Sequence, residues 1–186
     1  SYILSLSRAL IRRGHRVAIA SGGGSLAPQA AAEGIGHWQV PMHTSAEFSP
    51  QVFRAGGRVL AHLRAEPVDV LHAHTRVGQV VADRLSRRTG VPYVATWHGW
   101  FRPNLGRRLW PCAGERTIAI SEPVQRHLLE DFRDPPERVR LIWNGVDPLH
   151  FAQRPPVDAI ARFRAEHRLP EGRPVIGGVG RRASGR

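Results

Sequence analysis

The chain of 186 residues has 41% hydrophobic residues, one cysteine and a net charge of +12, with 27 arginines and no lysine. The length suits one domain and is short for two, and the lone Cys112 excludes an internal disulfide or a zinc site built from several cysteines. No apolar run approaches the roughly 18 residues of a membrane span, and residues 1–8 become charged too early for a secretory signal. We therefore expect a protein of the reducing cytoplasm.

Short apolar segments alternate with helical patterns along most of the chain. The first helix is predicted around Ile3, Leu6 and Leu10, which recur at helical spacing with no strand before them. Strands are then predicted at residues 17–20, 37–40, 68–73, 93–96, 117–120, 139–143 and 175–179. Repeated strand-then-helix order requires right-handed crossovers between parallel strands. The predicted fold class is therefore α/β, a Rossmann-like three-layer domain with a mostly parallel sheet.

Two of the intervening helices have a predicted inner face. The first is expected to bury four residues on one stripe, namely Val77, Val80, Val81 and Leu85. Its polar residues are expected to face away from the sheet, namely Gln79, Asp83 and Arg87. The second helix is predicted to begin at the N-cap Ser121, with Pro123 in its first turn. Its apolar residues are expected to point inward, namely Val124, Leu128 and Phe132.

Paired prolines and a short polar helix over residues 160–167 interrupt this alternation after residue 150. We predict a Rossmann-like N-terminal domain over residues 1–150 that lacks its first strand. A linker would occupy residues 151–173, and residues 174–186 would hold the first strand of a second, truncated domain.

The segment from Gly22 to Ala27 follows a predicted strand, precedes a helix and matches the G-x-G-x-x-A dinucleotide fingerprint. That fingerprint also needs an acid at the end of the next strand to hold the ribose hydroxyls. Here that strand ends at Pro41, and the nearest acid, Glu47, lies beyond it in a predicted loop. We therefore interpret the segment as a strand-to-helix turn and expect no NAD binding.

Histidines mark the ends of two central strands. His72 and His74 alternate on one strand, so their side chains share a face of the sheet, and His98 ends the next strand. The three could in principle bind a metal, but no acid accompanies them, and we predict no metal site. In open α/β sheets the ligand crevice lies beyond the carboxyl ends of the strands, where His74 is expected. His72 is expected to be an ordinary core histidine or one that supports a residue of the crevice.

The order of three segments resembles glycosyltransferase family 4: residues 68–74, then Thr96-Trp97-His98-Gly99, then Asn144-Gly145-Val146-Asp147. In that family, similar segments end strands in the N-terminal half of a two-domain GT-B enzyme. Ser121 at a helix start and Arg181 in Val-Gly-Arg are similar to further family landmarks. The chain departs from the family at Trp143, where a proline is usual, and in having no lysine after Arg181.

The resemblance implies a retaining, metal-independent glycosyltransferase that needs no cofactor and takes a nucleotide-diphosphate-sugar as donor. His98 would be the catalytic residue, in contact with the donor sugar, and Arg181 would bind the diphosphate. The other residues implied to bind substrate are His74, Gly99, Ser121 and Asn144. Residues Gly22 to Ala27 would form an acceptor-side loop. Because the match covers about half of such an enzyme, we expect this chain alone to be inactive.

The arginine charge leaves three interpretations open: an ordinary solvated surface, an anionic membrane face or a nucleic-acid site. An acceptor in cell-envelope polysaccharide or lipopolysaccharide synthesis would favour the membrane. We expect no nucleic-acid partner, because aromatic and basic residues are not interleaved. A sugar-nucleotide epimerase of the same architecture also stays open, although few carboxylates lie at strand ends to act as acid and base.

Overall fold

The structure is a computed structural model that describes residues 2–44, 46–47, 49–146, 148, 152–170 and 173–178. The chain divides into two compact units, residues 1–144 and residues 145–186. The predicted end of the first domain was residue 150.

The first unit alternates helices and strands. In chain order its described elements are α1 (Tyr2–Arg12), β1 (Ala18–Ser21), α2 (Ala27–Ala32), β2 (Gly36–Gln39), α3 (Pro50–Ala65), β3 (Leu71–Ala73), α4 (Arg76–Thr89), β4 (Tyr93–Trp97), α5 (Leu105–Leu109), β5 (Arg116–Ala119), α6 (Glu122–Glu130) and β6 (Val139–Leu141). The predicted strands of this unit are confirmed, within a few residues at their ends. Helix α3 was not predicted, although Val52, Ala55, Val59 and Leu63 recur at helical spacing and are buried.

Every strand pair is parallel, as predicted. β1 pairs with β2, and a second sheet has the order β3-β4-β5-β6. Within the described residues the two sheets share no ladder, so β1 and β3 each pair along one edge only. Since parallel strands end at the same side of a sheet, the carboxyl ends of β3 to β6 form one continuous edge.

Local capping sets where the helices on this edge begin. The Thr75 side chain accepts a hydrogen bond from the Gly78 N–H and caps α4, while Ser121 accepts from the Val124 N–H and caps α6, as predicted. Helix α4 stops at Gly90, whose φ of 77° lies in the left-handed region that favours glycine.

The core of the first unit has two main parts. One apolar cluster joins α3 and α4 and includes Val52, Val59, Val80 and Leu85. The other joins β4, β5 and α6 and includes the three residues predicted to point inward from α6, Val124, Leu128 and Phe132. Helix α1 packs separately, through Leu4, near α2 and β1.

The outer side of α4 was predicted wrongly. Gln79 and Asp83 are buried, whereas Arg87 is exposed as expected. Asp83 accepts hydrogen bonds from the Trp110 indole (2.7 Å) and the Tyr93 hydroxyl (3.2 Å). The segment after β4 therefore covers this side of the helix, a long-range contact that helical periodicity does not predict.

The second unit contains one described helix, α7 (Val157–Glu166), which has no buried residue and confirms the predicted short polar helix. The strand predicted at residues 175–179 is not formed over residues 175–178, and residue 179 lies outside the described residues. An extended segment becomes a strand only by pairing with a neighbour. Within the described ranges, no helix has the length and apolar character to cross a membrane.

Candidate functional site

The candidate site lies where β3 and β4 end. The two strands pair in register, with Ala73 opposite Ala95, so the residues that follow them emerge side by side. A hydrogen bond of 3.3 Å joins His74 Nδ1 and His98 Nε2, one nitrogen donating and the other accepting. The structure therefore brings these two predicted site residues into contact.

Tyr2, at the start of α1, covers the two histidines. Its ring centre lies 5.5 Å from that of His74 and 5.1 Å from that of His98, in edge-on arrangements. Sequence reasoning missed Tyr2, because it treated the first helix only as a packing element. Nothing in the local sequence indicates that the start of this helix lies against the residues that follow β3 and β4. We call Tyr2, His72, His74 and His98 the histidine edge.

His72 lies beside His74, with 4.1 Å between ring centres, and shares a 2.7 Å hydrogen bond with the buried Thr96 hydroxyl. This contact anchors its ring against β4. His72 is partly buried and supports His74, in agreement with the prediction of a core or supporting histidine.

The three imidazoles favour the neutral form. Burial, with His98 adding a smaller effect, lowers the pKa of His72 to about 4. Burial, with His72 and His98 adding to it, lowers the pKa of His74 to about 3, and burial also lowers the pKa of His98. At neutral pH the edge therefore presents uncharged rings, each with one donor and one acceptor nitrogen, which suits hydroxyl groups.

No group of three or more histidine, cysteine, aspartate or glutamate side chains in the described part of the chain is arranged to hold a metal ion. His74 and His98 direct a nitrogen at one another, and His72 directs one at Thr96. The three rings therefore do not converge on a common point.

The residues flanking His98 differ in exposure. Trp97 is buried and packs edge-on against Phe101 and Phe132. Trp100 is 65% exposed and stacks on His127 with 4.2 Å between ring centres. Apart from its two chain neighbours, no atom would lie within 4 Å of a Cβ on Gly99, so no other part of the fold packs against this residue.

The other predicted site residues lie further along the sheet. Ser121 follows β5, and its hydroxyl is used as the cap of α6. Asn144 follows β6 and is exposed. Both are therefore at the carboxyl edge, but no contact joins them to the histidine edge in the described residues. Arg181 lies outside the described residues.

A second group of side chains surrounds the glycine-rich turn after β1. The Ser21 hydroxyl and His37 Nε2 share a 2.8 Å hydrogen bond, and the Gly23 N–H donates to the same hydroxyl. His43 Nε2 donates to the Gly22 carbonyl (2.7 Å), and a Cβ on Gly22 would collide with that ring. We call Ser21, Gly22, Gly23, His37 and His43 the glycine turn. Sequence reasoning did not identify either histidine.

Glu47 is the first acid after β2, where the dinucleotide fingerprint needs a carboxylate for the ribose, but it is already paired. Its carboxylate accepts from Arg76 (2.9 Å) and Arg107 (2.7 Å) and is largely buried. Burial alone would raise its pKa, but the hydrogen bonds from Arg107 and Arg76 hold the pKa below its ordinary value. Glu47 therefore ties α4 to α5 and is not placed to hold a dinucleotide.

Solved structures identify the class of fold as the N-terminal Rossmann-like domain of GT-B enzymes. A glycosyltransferase from Rickettsia africae ESF-5 matches with a TM-score of 0.77 at 20% identity, over 93% of this chain and 46% of that one. Anabaena Alr3699/HepE in complex with UDP-glucose matches with a TM-score of 0.69 at 17% identity, over 89% and 45% of the two chains. A UDP-N-acetylglucosamine 2-epimerase from Rickettsia bellii matches less well, with a TM-score of 0.53 at 14% identity, over 91% and 46%.

The family model described as Glycosyltransferase Family 4 matches residues 1–149. The chain belongs to that family, and the predicted resemblance is confirmed. No curated protein matches the sequence. The chain spans a little under half the length of the solved structures that it matches.

Proposed function

We propose that this chain is the acceptor-side part of a glycosyltransferase that moves a sugar from a nucleotide-diphosphate-sugar to an acceptor. The observation that carries the proposal is the histidine edge, neutral imidazoles at the carboxyl ends of adjacent strands of a family 4 domain. The likeness to Alr3699/HepE, whose structure holds UDP-glucose, supports this class of donor.

His98 is the residue proposed to touch the donor sugar. Its side chain is exposed, and its hydrogen bond to His74 orients the ring. Beyond its chain neighbours, no residue packs within 4 Å of a Cβ placed on Gly99, which supports placing the sugar beside it. A neutral imidazole can donate to or accept from a sugar hydroxyl without attracting a counter-ion. Gly99 and His74 would thus shape the wall against which the sugar rests.

The proposed chemistry is positioning together with stabilisation of the leaving diphosphate, with retention of configuration and without a metal or cofactor. Ser121 and Asn144 would line the same cleft, further along the carboxyl edge. Arg181 would contact the diphosphate by virtue of its position in the Val-Gly-Arg segment. In this proposal, most of the diphosphate contacts come from a second domain.

The acceptor is proposed to be a glycan or a lipid-linked sugar of cell-envelope polysaccharide or lipopolysaccharide synthesis. The net charge of +12 supports an acceptor at an anionic membrane surface, because a positive field concentrates the protein there. With its acceptor at that surface, the enzyme would be a peripheral protein on the inner face of the membrane.

A sugar-nucleotide epimerase is the second candidate, favoured by the likeness to the Rickettsia bellii 2-epimerase. Epimerisation needs an acid and a base beside the sugar. Within the described residues, no carboxylate hydrogen-bonds to a ring of the histidine edge, which favours transfer.

The test joins this chain to the C-terminal domain of a family 4 enzyme and supplies radiolabelled nucleotide-sugars with a panel of glycan acceptors. Label that appears in the acceptor would support a transferase. Conversion of the nucleotide-sugar to its epimer, with no label in any acceptor, would contradict transfer and favour the epimerase. The isolated chain serves as the control and is expected to show neither activity.

A further inference from the structure

Helix α5 is turned the opposite way from an ordinary surface helix, whose apolar stripe faces the core. It has no buried residue, and Leu105 and Leu109 are 73% and 77% exposed. Spaced four residues apart, the two leucines share one face. Arg107, on the opposite face, is only 20% exposed, because it donates to Glu47 and lies over the Phe101 ring. An ion pair thus holds the helix with its leucines outward.

Trp100, five residues before this helix in sequence, is a third exposed apolar residue. One face of its indole stacks on His127, which is itself held by Asp131 and by the Phe101 carbonyl. His127 therefore covers one face of the indole, while Trp100 as a whole remains 65% exposed. The segment holding Trp100 is joined to α5 by a hydrogen bond from Arg107 to the Arg102 carbonyl (3.4 Å).

Two exposed arginines, Arg102 and Arg108, alternate in sequence with these apolar residues. We define the α5 patch as Trp100, Arg102, Leu105, Arg108 and Leu109. Amphipathic segments that rest on membranes combine these features: aliphatic and indole side chains that enter the interface and cations that meet anionic headgroups.

We propose that the α5 patch docks this domain onto an anionic lipid bilayer. Trp100, Leu105 and Leu109 enter the interfacial region, and Arg102 and Arg108 face lipid phosphates. Charge complementarity selects this partner, because the whole chain carries +12 and the patch itself is apolar and basic. The inference rests on the proposed function, which places the acceptor at an anionic membrane surface, and it names the residues that make this contact, close to His98, which lies two residues before Trp100.

The patch is a weak anchor, since α5 has only five residues. Binding should therefore be reversible and should need both the leucines and the arginines, as expected for a membrane contact made of two signals. It should also fall as salt is raised, because screening shortens the reach of the arginine charge.

The experiment measures co-sedimentation of this chain with vesicles of phosphatidylcholine containing phosphatidylglycerol, and with vesicles of phosphatidylcholine alone. We expect retention on the anionic vesicles at low salt and little on the neutral ones. The L105S/L109S variant should lower the partition coefficient by about 10-fold or more. Both leucines are exposed, so this variant should keep the wild-type circular dichroism spectrum.

Two matched arginine variants separate the contribution of the α5 patch to vesicle binding from the contribution of the net positive charge. R102Q/R108Q should lower partitioning by roughly 10-fold or more. R12Q/R13Q removes the same charge from two exposed arginines at the far end of α1, about 15 Å along the helix from Tyr2. It should reduce partitioning several-fold less than R102Q/R108Q.

Several results would overturn the proposal: no retention of the wild-type chain, equal retention on neutral vesicles, unchanged binding of L105S/L109S, or an equal decrease in the two arginine variants. A wild-type dimer in gel filtration that L105S/L109S abolishes, without vesicle binding, would instead assign the leucines to a second copy of this chain. Vesicle binding needs no sugar donor, so its failure is distinguishable from failure of the proposed transfer.

Discussion

The histidine edge and the glycine turn both contain histidines that lie on parallel strands or shortly after them, yet they use them differently. At the histidine edge the ring nitrogens of His74 and His98 meet one another, and His98 stays exposed. In the glycine turn His37 shares a hydrogen bond with the Ser21 hydroxyl, and His43 donates to the Gly22 carbonyl. The first arrangement leaves polar groups for a ligand, whereas the second shapes the backbone.

Replacing His98 should have the largest effect if this distinction holds. In the chain joined to a family 4 C-terminal domain, His98→Ala should lower turnover by about 10- to 1,000-fold, on the order of 1–4 kcal/mol for removing a polar interaction with the transition state. Steady-state kinetics with a nucleotide-sugar checks this. His15→Ala, an exposed site in the loop after α1, is the control. Unchanged turnover in a folded His98→Ala protein would remove His98 from the site.

The lowered pKa values of the histidine edge predict a pH dependence of stability. In the unfolded chain these histidines bind protons below about pH 6.5. In the folded chain the partly buried His72 and His74 bind protons only near their lowered pKa values of about 4 and about 3. Stability should therefore be greatest above pH 6.5 and decline as pH falls. A fully buried histidine would lose roughly 2 kcal/mol between pH 7 and 5, and His72 and His74, which are only partly buried, should each lose less.

Urea unfolding of the chain at pH 5, 6 and 7 measures this slope. His74→Gln removes one of the two groups and should flatten the curve. A wild-type free energy of unfolding that does not change over this range would show that the rings of the histidine edge are not desolvated as the structure has them.

The glycine turn predicts a smaller, purely structural effect. Gly22→Ala should displace the His43 ring and break its hydrogen bond to the Gly22 carbonyl, which lowers the free energy of unfolding by about 1 kcal/mol. His43→Ala should cost about the same, and the double variant no more than either one, because both remove the same hydrogen bond. Thermal unfolding of the three variants tests this. Additive effects would mean that Gly22 and His43 act independently.

No effect at all is expected from NAD or NADP. Glu47 is held by Arg76 and Arg107, so it is not free to bind a ribose beside the turn that matches the dinucleotide fingerprint. Isothermal calorimetry should show no saturable binding. Micromolar binding would give the glycine turn the ligand-binding role that we assign to the histidine edge.

Local sequence was sufficient for much of the fold and for part of the site. Strand positions, the Ser121 cap and the inward face of α6 depend on residues close together in the chain, so periodicity and capping chemistry predict them. The same reasoning placed His74 and His98 at one edge, because parallel strands must end together. It also overlooked α3, whose helical spacing is present in the sequence.

Tertiary structure alone decided the rest. Tyr2, at the start of α1, contacts His98, which follows β4. Asp83 accepts a hydrogen bond from Trp110, 27 positions away in sequence, and Glu47 accepts one from Arg107, 60 positions away. Such contacts depend on how helices and loops pack over the sheet, which no local period encodes. They determine the neutral state of the histidines, the enclosure of Glu47 and the outward leucines of α5. Sequence by itself therefore determined the family and the succession of strands and helices along the chain, while long-range packing decided which side chains remain available for a ligand.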